Sequence, residues 1–319
     1  MAYQQSPQPI SRSSVASGIV LWTAVARARP NNVLICTQHE PPNVNIMVDG
    51  KSPLAMAIKK RHMRFFRMLM SHPQLDPECG TVECTKRITV HKKTPLFLAI
   101  EAEHSDMVRA LLNHHKVNPN NGSLKVFRGW SWSSVETPLF LASANGQTKI
   151  VKHLLNDSRI SPNKISKGRY TPLSIAWEKK KVATFWFLFG HPKIARWTVL
   201  NCLVWPTDQP VQSEDLNGLP MDILGERVFE GKARIRLPFR AYLKALFDCD
   251  KYPKEKFPDD SLWREDYVIV ELTRPTASIL LDGIYQAYQS NPGGVALLFE
   301  GLVPNEEEHD TYDIVYETA

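Results

Sequence analysis

Apolar positions in this chain return at helical spacing in short blocks, and the blocks themselves repeat. Leu54, Ala57 and Ile58 recur as Leu96, Ala99 and Ile100, then as Leu139 and Ala142, then as Leu173 and Ala176. Behind each of the first three comes a second apolar face, Phe66-x-x-Leu69-Met70, Val108-x-x-Leu111-Leu112 and Val151-x-x-Leu154-Leu155. Every block opens on a hydroxyl residue and a proline: Ser52-Pro53, Thr94-Pro95, Thr137-Pro138 and Thr171-Pro172. The hydroxyl oxygen can accept from orphan amides at a helix start, and proline suits the first helical position because its missing N–H has no partner there. Turn formers close the blocks at Asp76-Pro77, Val117-Asn118-Pro119-Asn120 and Ile160-Ser161-Pro162-Asn163. The pattern predicts helix pairs joined by turns. A lone pair cannot bury its apolar face, so the units must stack.

The Thr-Pro-Leu openings, the alanine three residues after each leucine and the Val-x-x-Leu-Leu second helices resemble the ankyrin repeat. A degenerate first copy is readable upstream, because Leu21 and Ala24 precede Leu54 and Ala57 by 33 residues, the period of that family. The resemblance implies a mainly α solenoid of about five helix–turn–helix repeats with β-turn fingers. Their boundaries fall at 19–51, 52–93, 94–136, 137–170 and 171–203, after a polar flexible tail over 1–18. The Asn-Pro-Asn and Ser-Pro-Asn turns are similar in style to ankyrin proteins of filamentous fungi. Two departures stand out. The histidine that normally follows Thr-Pro-Leu is Ala55, Phe97, Phe140 or Ser174, and the inter-helix Gly-His is Arg61-His62, Glu103-His104, Gly146-Gln147 or Lys180-Lys181. Loss of the histidine removes a hydrogen bond to the threonine, so less rigid repeats are expected.

Successive openings are 42, 43 and 34 residues apart, and the excess falls in turn regions. The inserts 81–93 and 123–135 alternate polar with β-branched or aromatic residues, which predicts two adjacent hairpin fingers. Arg87, Lys92, Phe127, Arg128, Trp130 and Trp132, together with Arg169, are the candidate partner-binding residues. Arginine with aromatics suits a protein hot spot. The same residues could stack on bases and pair with phosphates, but the resemblance favours a protein partner over nucleic acid. Functionless loop insertion is the competing reading.

The last repeat reads Trp177 on its first helix and Phe185-Trp186-Phe187-Leu188-Phe189 on its second. A helix apolar all round is buried all round, so Trp177, Phe185, Trp186 and Phe189 are expected to pack against the C-terminal region. A proline-bearing connector over 204–226 leads into that region, 227–319. There, strands over 232–237, 267–272, 295–302 and 311–316 and helices over 239–249 and 277–289 predict a small α+β domain, whose family the residues do not reveal.

Bulk properties narrow the function. With 319 residues, 43% hydrophobic and 23% charged, the chain is long enough for an array plus a second domain. Net charge is +6, but residues 250–319 carry 5 Lys/Arg against 15 Asp/Glu and the rest 34 against 18. The basic array therefore suits an acidic protein partner. No membrane-spanning run or secretory leader is visible. Five scattered cysteines point to a reducing compartment, the cytoplasm or nucleus. Cys79 and Cys84, with His72 and His91, are too loosely spaced for zinc. Nothing matches a Gly-x-Ser-x-Gly elbow or a phosphate loop. The expectation is a monomeric scaffold or adaptor without catalysis, cofactor or metal. The alternatives are an enzyme or small-ligand domain in the C-terminal third whose substrate the repeats position, and a nuclear coregulator.

Overall fold

The computed structural model describes residues 12–27, 43–84, 88–127, 133–166, 170–203, 205–206, 223, 225–229, 232–238, 267–289, 297–305 and 308–318. It divides into two compact units, Met1–Ser161 and Pro162–Ala319.

The first unit is built of helix pairs. After α1 (Arg12–Ala26) come α2 (Pro53–Lys59) with α3 (Met63–Met70), α4 (Pro95–Glu101) with α5 (Ser105–Leu112), and α6 (Pro138–Asn145) with α7 (Thr148–Asn156). Helix α1 starts at Arg12, inside the segment 1–18 that composition assigns to a tail. Leu54, Leu96 and Leu139 are 0–1% exposed, as are Val108, Leu111, Val151 and Leu154 of the second helices. Each repeat thus buries the face that its spacing marks.

The capping oxygens act as expected. Ser52, Thr94 and Thr137 accept from the amides of Ala55, Phe97 and Phe140. The missing family histidine does not leave these hydroxyls idle. Ser52 donates to the Cys79 carbonyl at 2.5 Å and Thr94 to that of Asn121 at 3.1 Å, so the lost contact is replaced by one to the chain entering the next repeat.

Stacking is also held by side chains that bridge turns. Asn45 takes the Asp76 amide and donates to the Gln74 carbonyl; Asn120 does the same with Ser161 and Arg159. Between these two, Glu78 accepts from the Asn118 amide and the Asn121 side chain. Replacing Asn120 with alanine removes both bonds of one rung, at about 1 kcal/mol per bond. A melting temperature lowered by several degrees, with faster hydrogen exchange across 157–161, is the expected outcome.

Turns between paired helices require a left-handed residue. Arg61 (φ 57°), Glu103 (φ 58°) and Gly146 (φ 76°) occupy it. A side chain there costs about 1–2 kcal/mol, of which glycine's larger unfolded-state entropy would give back part. Glu103→Gly should therefore raise the melting temperature slightly. Arg61→Gly should gain less, because Arg61 also donates to the Ala102 carbonyl at 3.1 Å. A lower melting temperature for Glu103→Gly would show that the turn carries no strain.

In the second unit, α8 (Pro172–Glu178) and α9 (Val182–Phe189) form a further helix pair where the fifth repeat is expected, followed by a 3-10 helix, Arg196–Cys202. Thr171 and Ser174 close a reciprocal capping box. Asn163 continues the bridging pattern, taking the Ala195 amide and donating to the Lys193 carbonyl. Beyond lie β5 (Trp205–Pro206), β6 (Lys232–Pro238), β7 (Tyr267–Thr273), α10 (Ala277–Gln289), β8 (Leu297–Pro304) and β9 (Thr311–Thr318). They form one sheet in the order β5-β8-β9-β6-β7, antiparallel except at β6–β9. Strand β5 falls inside the segment read as a connector, and the helix expected over 239–249 lies outside the described residues. Ala277, Leu280, Leu281 and Ile284 make the buried stripe of α10.

Among the described residues, the fifth repeat meets these strands through its 3-10 helix. Trp197 of the 3-10 helix lies 5.2 Å from Tyr312 and 6.3 Å from Phe229, while the buried Asn201 side chain bonds both backbone groups of Leu302. Of the four residues expected at that contact, Phe185 is buried and Trp177 and Phe189 are half-buried, but Trp186 is 42% exposed. The apolar run of α9 misled because its outer positions face solvent.

Candidate protein-binding surface

The two long inserts of the first unit form strands: β1 (Thr81–Glu83) and β2 (Ile88–Lys93) in the first, β3 (Ser123–Phe127) and β4 (Ser133–Glu136) in the second. They do not stand as separate fingers. Strand β2 pairs with β3, so the hairpins merge into one antiparallel sheet in the order β1-β2-β3-β4. Cross-strand rows follow from the register. One runs Val82–Lys92–Leu124–Val135, and its neighbour Thr81–Lys93–Ser123–Glu136 points to the opposite face.

The second row faces the helices. Lys93 reaches Glu101 of α4 at 2.6 Å and lies 5.9 Å from the Phe97 ring, while Thr81, Ser123 and Glu136 are buried. On the same face, His91 and Ser123 meet at 3.0 Å, and Lys125 lies 3.9 Å from Glu136. Burial, then the charges of Lys93 and Lys125, push the His91 pKa below its ordinary value.

The outward face is aliphatic: Val82, Val90, Leu124, Val126 and Val135 surround the exposed Lys92. Val82 and Val135 are 37% and 39% exposed. A half-solvated sheet ordinarily turns its apolar residues toward the core. Here that sense is inverted, and an exposed apolar patch is the informative departure.

Lys92 is therefore central to this face. Phe127 ends β3, with its backbone paired to Ile88. Arg87, Arg128, Trp130, Trp132 and Arg169 lie outside the described residues. The five aliphatic residues escaped the sequence reading because alternation identifies a strand without saying which of its faces is inward. Elsewhere, the Cys79 thiol rests against the Asn45 carbonyl and the Met47 sulfur, and burial, then Asp76, raises its pKa. Between the ends of α5 and α7 lies a recess of about 460 Å³ lined by Arg109, His153 and Arg159. Arg159 donates to the Leu112 and Val117 carbonyls there, which makes it a helix-end cap.

Family comparison agrees with this geometry. Three copies of ankyrin repeats match residues 21–123, and a single ankyrin repeat matches 136–167. The N-terminal region is an ankyrin-repeat array. Ankyrin repeats are in general non-catalytic protein–protein interaction modules. The gap between the two matches, 124–135, covers nearly all of the second hairpin, so the ankyrin pattern does not account for that insert. No curated protein matches the chain. Among the described residues, no helix is long and apolar enough to cross a membrane, and no three His, Cys, Asp or Glu side chains gather as a metal site.

Proposed function

We propose that this ankyrin-repeat protein is a scaffold or adaptor without catalysis of its own, and that the merged hairpin sheet is its principal recognition surface. The inverted sheet carries the reading: aliphatic side chains held on a rigid frame, away from the core, stabilise little unless another surface covers them. Arg87, Arg128, Trp130 and Trp132, which fall between the paired strands in sequence, would supply the aromatic and cationic chemistry of protein hot spots, with Lys92, Phe127 and Arg169 as further contacts. The first unit, with 20 Lys/Arg against 10 Asp/Glu, suits an acidic partner. Five strands and α10 support reading the C-terminal third as a small α+β domain. Cys79 and Cys84 are free thiols, which fits the cytoplasm or nucleus.

Affinity purification of the full chain from native cells, compared with Val126→Lys/Val135→Lys and with Arg87→Ala/Arg128→Ala/Trp130→Ala, tests the reading. The expected result is a reproducible set of proteins lost with either variant while melting is unchanged. The same set retained by both variants would move recognition elsewhere. Lowered melting with capture kept per folded molecule would make these residues packing groups.

A further inference from the structure

The second helices of the repeats can be laid over one another from their first residues, Met63, Ser105, Thr148 and Val182. The fifth position then reads Arg67, Arg109, Lys152 and Trp186, and the second reads Arg64, Asp106, Lys149 and Ala183. In the first three helices both positions are charged and exposed. The fold therefore needs no apolar residue there, yet α9 supplies one at each. Val182 and Trp186 are 49% and 42% exposed, and with the half-buried Phe189 they lie at i, i+4 and i+7, on one stripe.

The stripe is rigid. Trp186 packs edge-on against Phe185 at 5.3 Å and Phe189 at 5.7 Å, and the fully buried Phe185 is tilted against Trp177 at 4.9 Å. A ring already held in place loses little freedom on binding. The C-terminal strands of the same unit engage the 3-10 helix instead, through Trp197, Asn201, Tyr312 and Leu302, and leave Trp186 uncovered. Lys179, Lys180 and Lys181 lead directly into the stripe, and no ion pair among the described residues engages them.

We propose that α9 is a second docking site, which takes an acidic amphipathic segment of a partner protein. Apolar anchors one helical turn apart would cover Val182, Trp186 and Phe189, and carboxylates at one end would meet the lysine run. The unit from 162 onward carries 19 Lys/Arg against 23 Asp/Glu, so its field opposes an anionic bilayer while the lysines still attract a short acidic segment. A three-residue stripe is far smaller than the roughly 800 Å² per partner of a stable dimer, and a second copy would bring the same lysines against themselves. The site is independent of the hairpin sheet and stands if that reading falls.

The test uses the full chain and four probes: a labelled helical peptide with Leu/Phe anchors flanked by Glu, its Lys-flanked counterpart, phosphatidylserine vesicles, and sedimentation velocity. Trp186→Arg restores the cation that stands at the equivalent position of the three earlier helices, so it should melt like the wild type. The Glu-flanked peptide is expected to bind, and Trp186→Arg to weaken it at least about tenfold, as loss of a central tryptophan does. Lys179→Ala/Lys180→Ala/Lys181→Ala should weaken it severalfold and flatten its salt dependence. The Lys-flanked peptide and the vesicles should not bind, and the chain should sediment as a monomer. Equal peptide binding by wild type and Trp186→Arg, or none by the wild type, overturns the proposal. So does vesicle binding or a dimer that Trp186→Arg abolishes, since either names a different occupant.

Discussion

Gly122→Ala is expected to unzip the second hairpin at its root and to cost about 3 kcal/mol or more, the upper range for overpacking. A Cβ on Gly122 would overlap the carbonyl oxygen of Glu136 and press on Phe97 Cδ2 at 3.0 Å. The backbone cannot retreat freely, because the Gly122 carbonyl accepts the Thr94 amide at 3.1 Å. Relief would break either that bond or the Ser123–Glu136 pair that starts the β3–β4 ladder. Gly80 repeats the arrangement one finger earlier, where a Cβ would overlap the Lys93 carbonyl while the Gly80 carbonyl accepts the Ser52 amide. Gly190→Ala is the control. Its Cβ meets nothing nearer than the Trp186 carbonyl at 3.5 Å, and φ is −80°, so its stability should hold or rise. Thermal melts of the three variants, with hydrogen exchange over 81–93 and 123–136, decide the matter. A Gly122→Ala protein that melts with Gly190→Ala and keeps its hairpin protection would show that the close approach is not needed.

The repeats were legible because their determinants are local. A hydroxyl-proline opening, a helical face and a turn former lie within some thirty residues, and each reports its own element. The hairpin sheet was legible only in part. Intervals of 42 and 43 residues against 34 gave the length of the inserts, and alternation gave their strands. The pairing of β2 with β3 joins His91 to Lys125, across a helix pair, and no local pattern encodes it. Nor did alternation reveal that Lys93 and Ser123, not Val82 and Leu124, face the helices.

Trp186 failed for a related reason. An apolar run by itself predicts a buried helix, whereas alignment with Arg67, Arg109 and Lys152 places the residue on an outward position. Burial is set by register within the repeat, and composition alone does not report it.

In the contact that joins the fifth repeat to the C-terminal strands, one side chain clamps the backbone, and Asn201→Ala is expected to break that clamp. Asn201 is 1% exposed and uses its amide as a piece of backbone. Its Oδ1 accepts the Leu302 amide at 2.9 Å, and its Nδ2 donates to the Leu302 carbonyl at 3.2 Å. Leu302 is itself fully buried in β8, so water cannot replace the lost partner without opening the sheet. Alanine would leave one donor and one acceptor unsatisfied, each costing about 1–3 kcal/mol, or about 2–6 kcal/mol together. Asn201→Asp separates the two halves of the clamp: the carboxylate can still accept the amide, but it faces the carbonyl with a buried charge instead of a donor. Both variants should therefore lose stability, Asp by at least as much as Ala at neutral pH. The damage should stay in the second unit. Hydrogen exchange should quicken across Arg196–Cys202 and Leu297–Pro304 while 94–156, in the first unit, keeps its protection. If Asn201→Ala melts within about 2 °C of the wild type, a shift worth about 0.5–1 kcal/mol for a domain of this size, the clamp does not hold the fifth repeat to the sheet. The Trp197–Phe229–Tyr312 cluster would then have to carry that contact by itself.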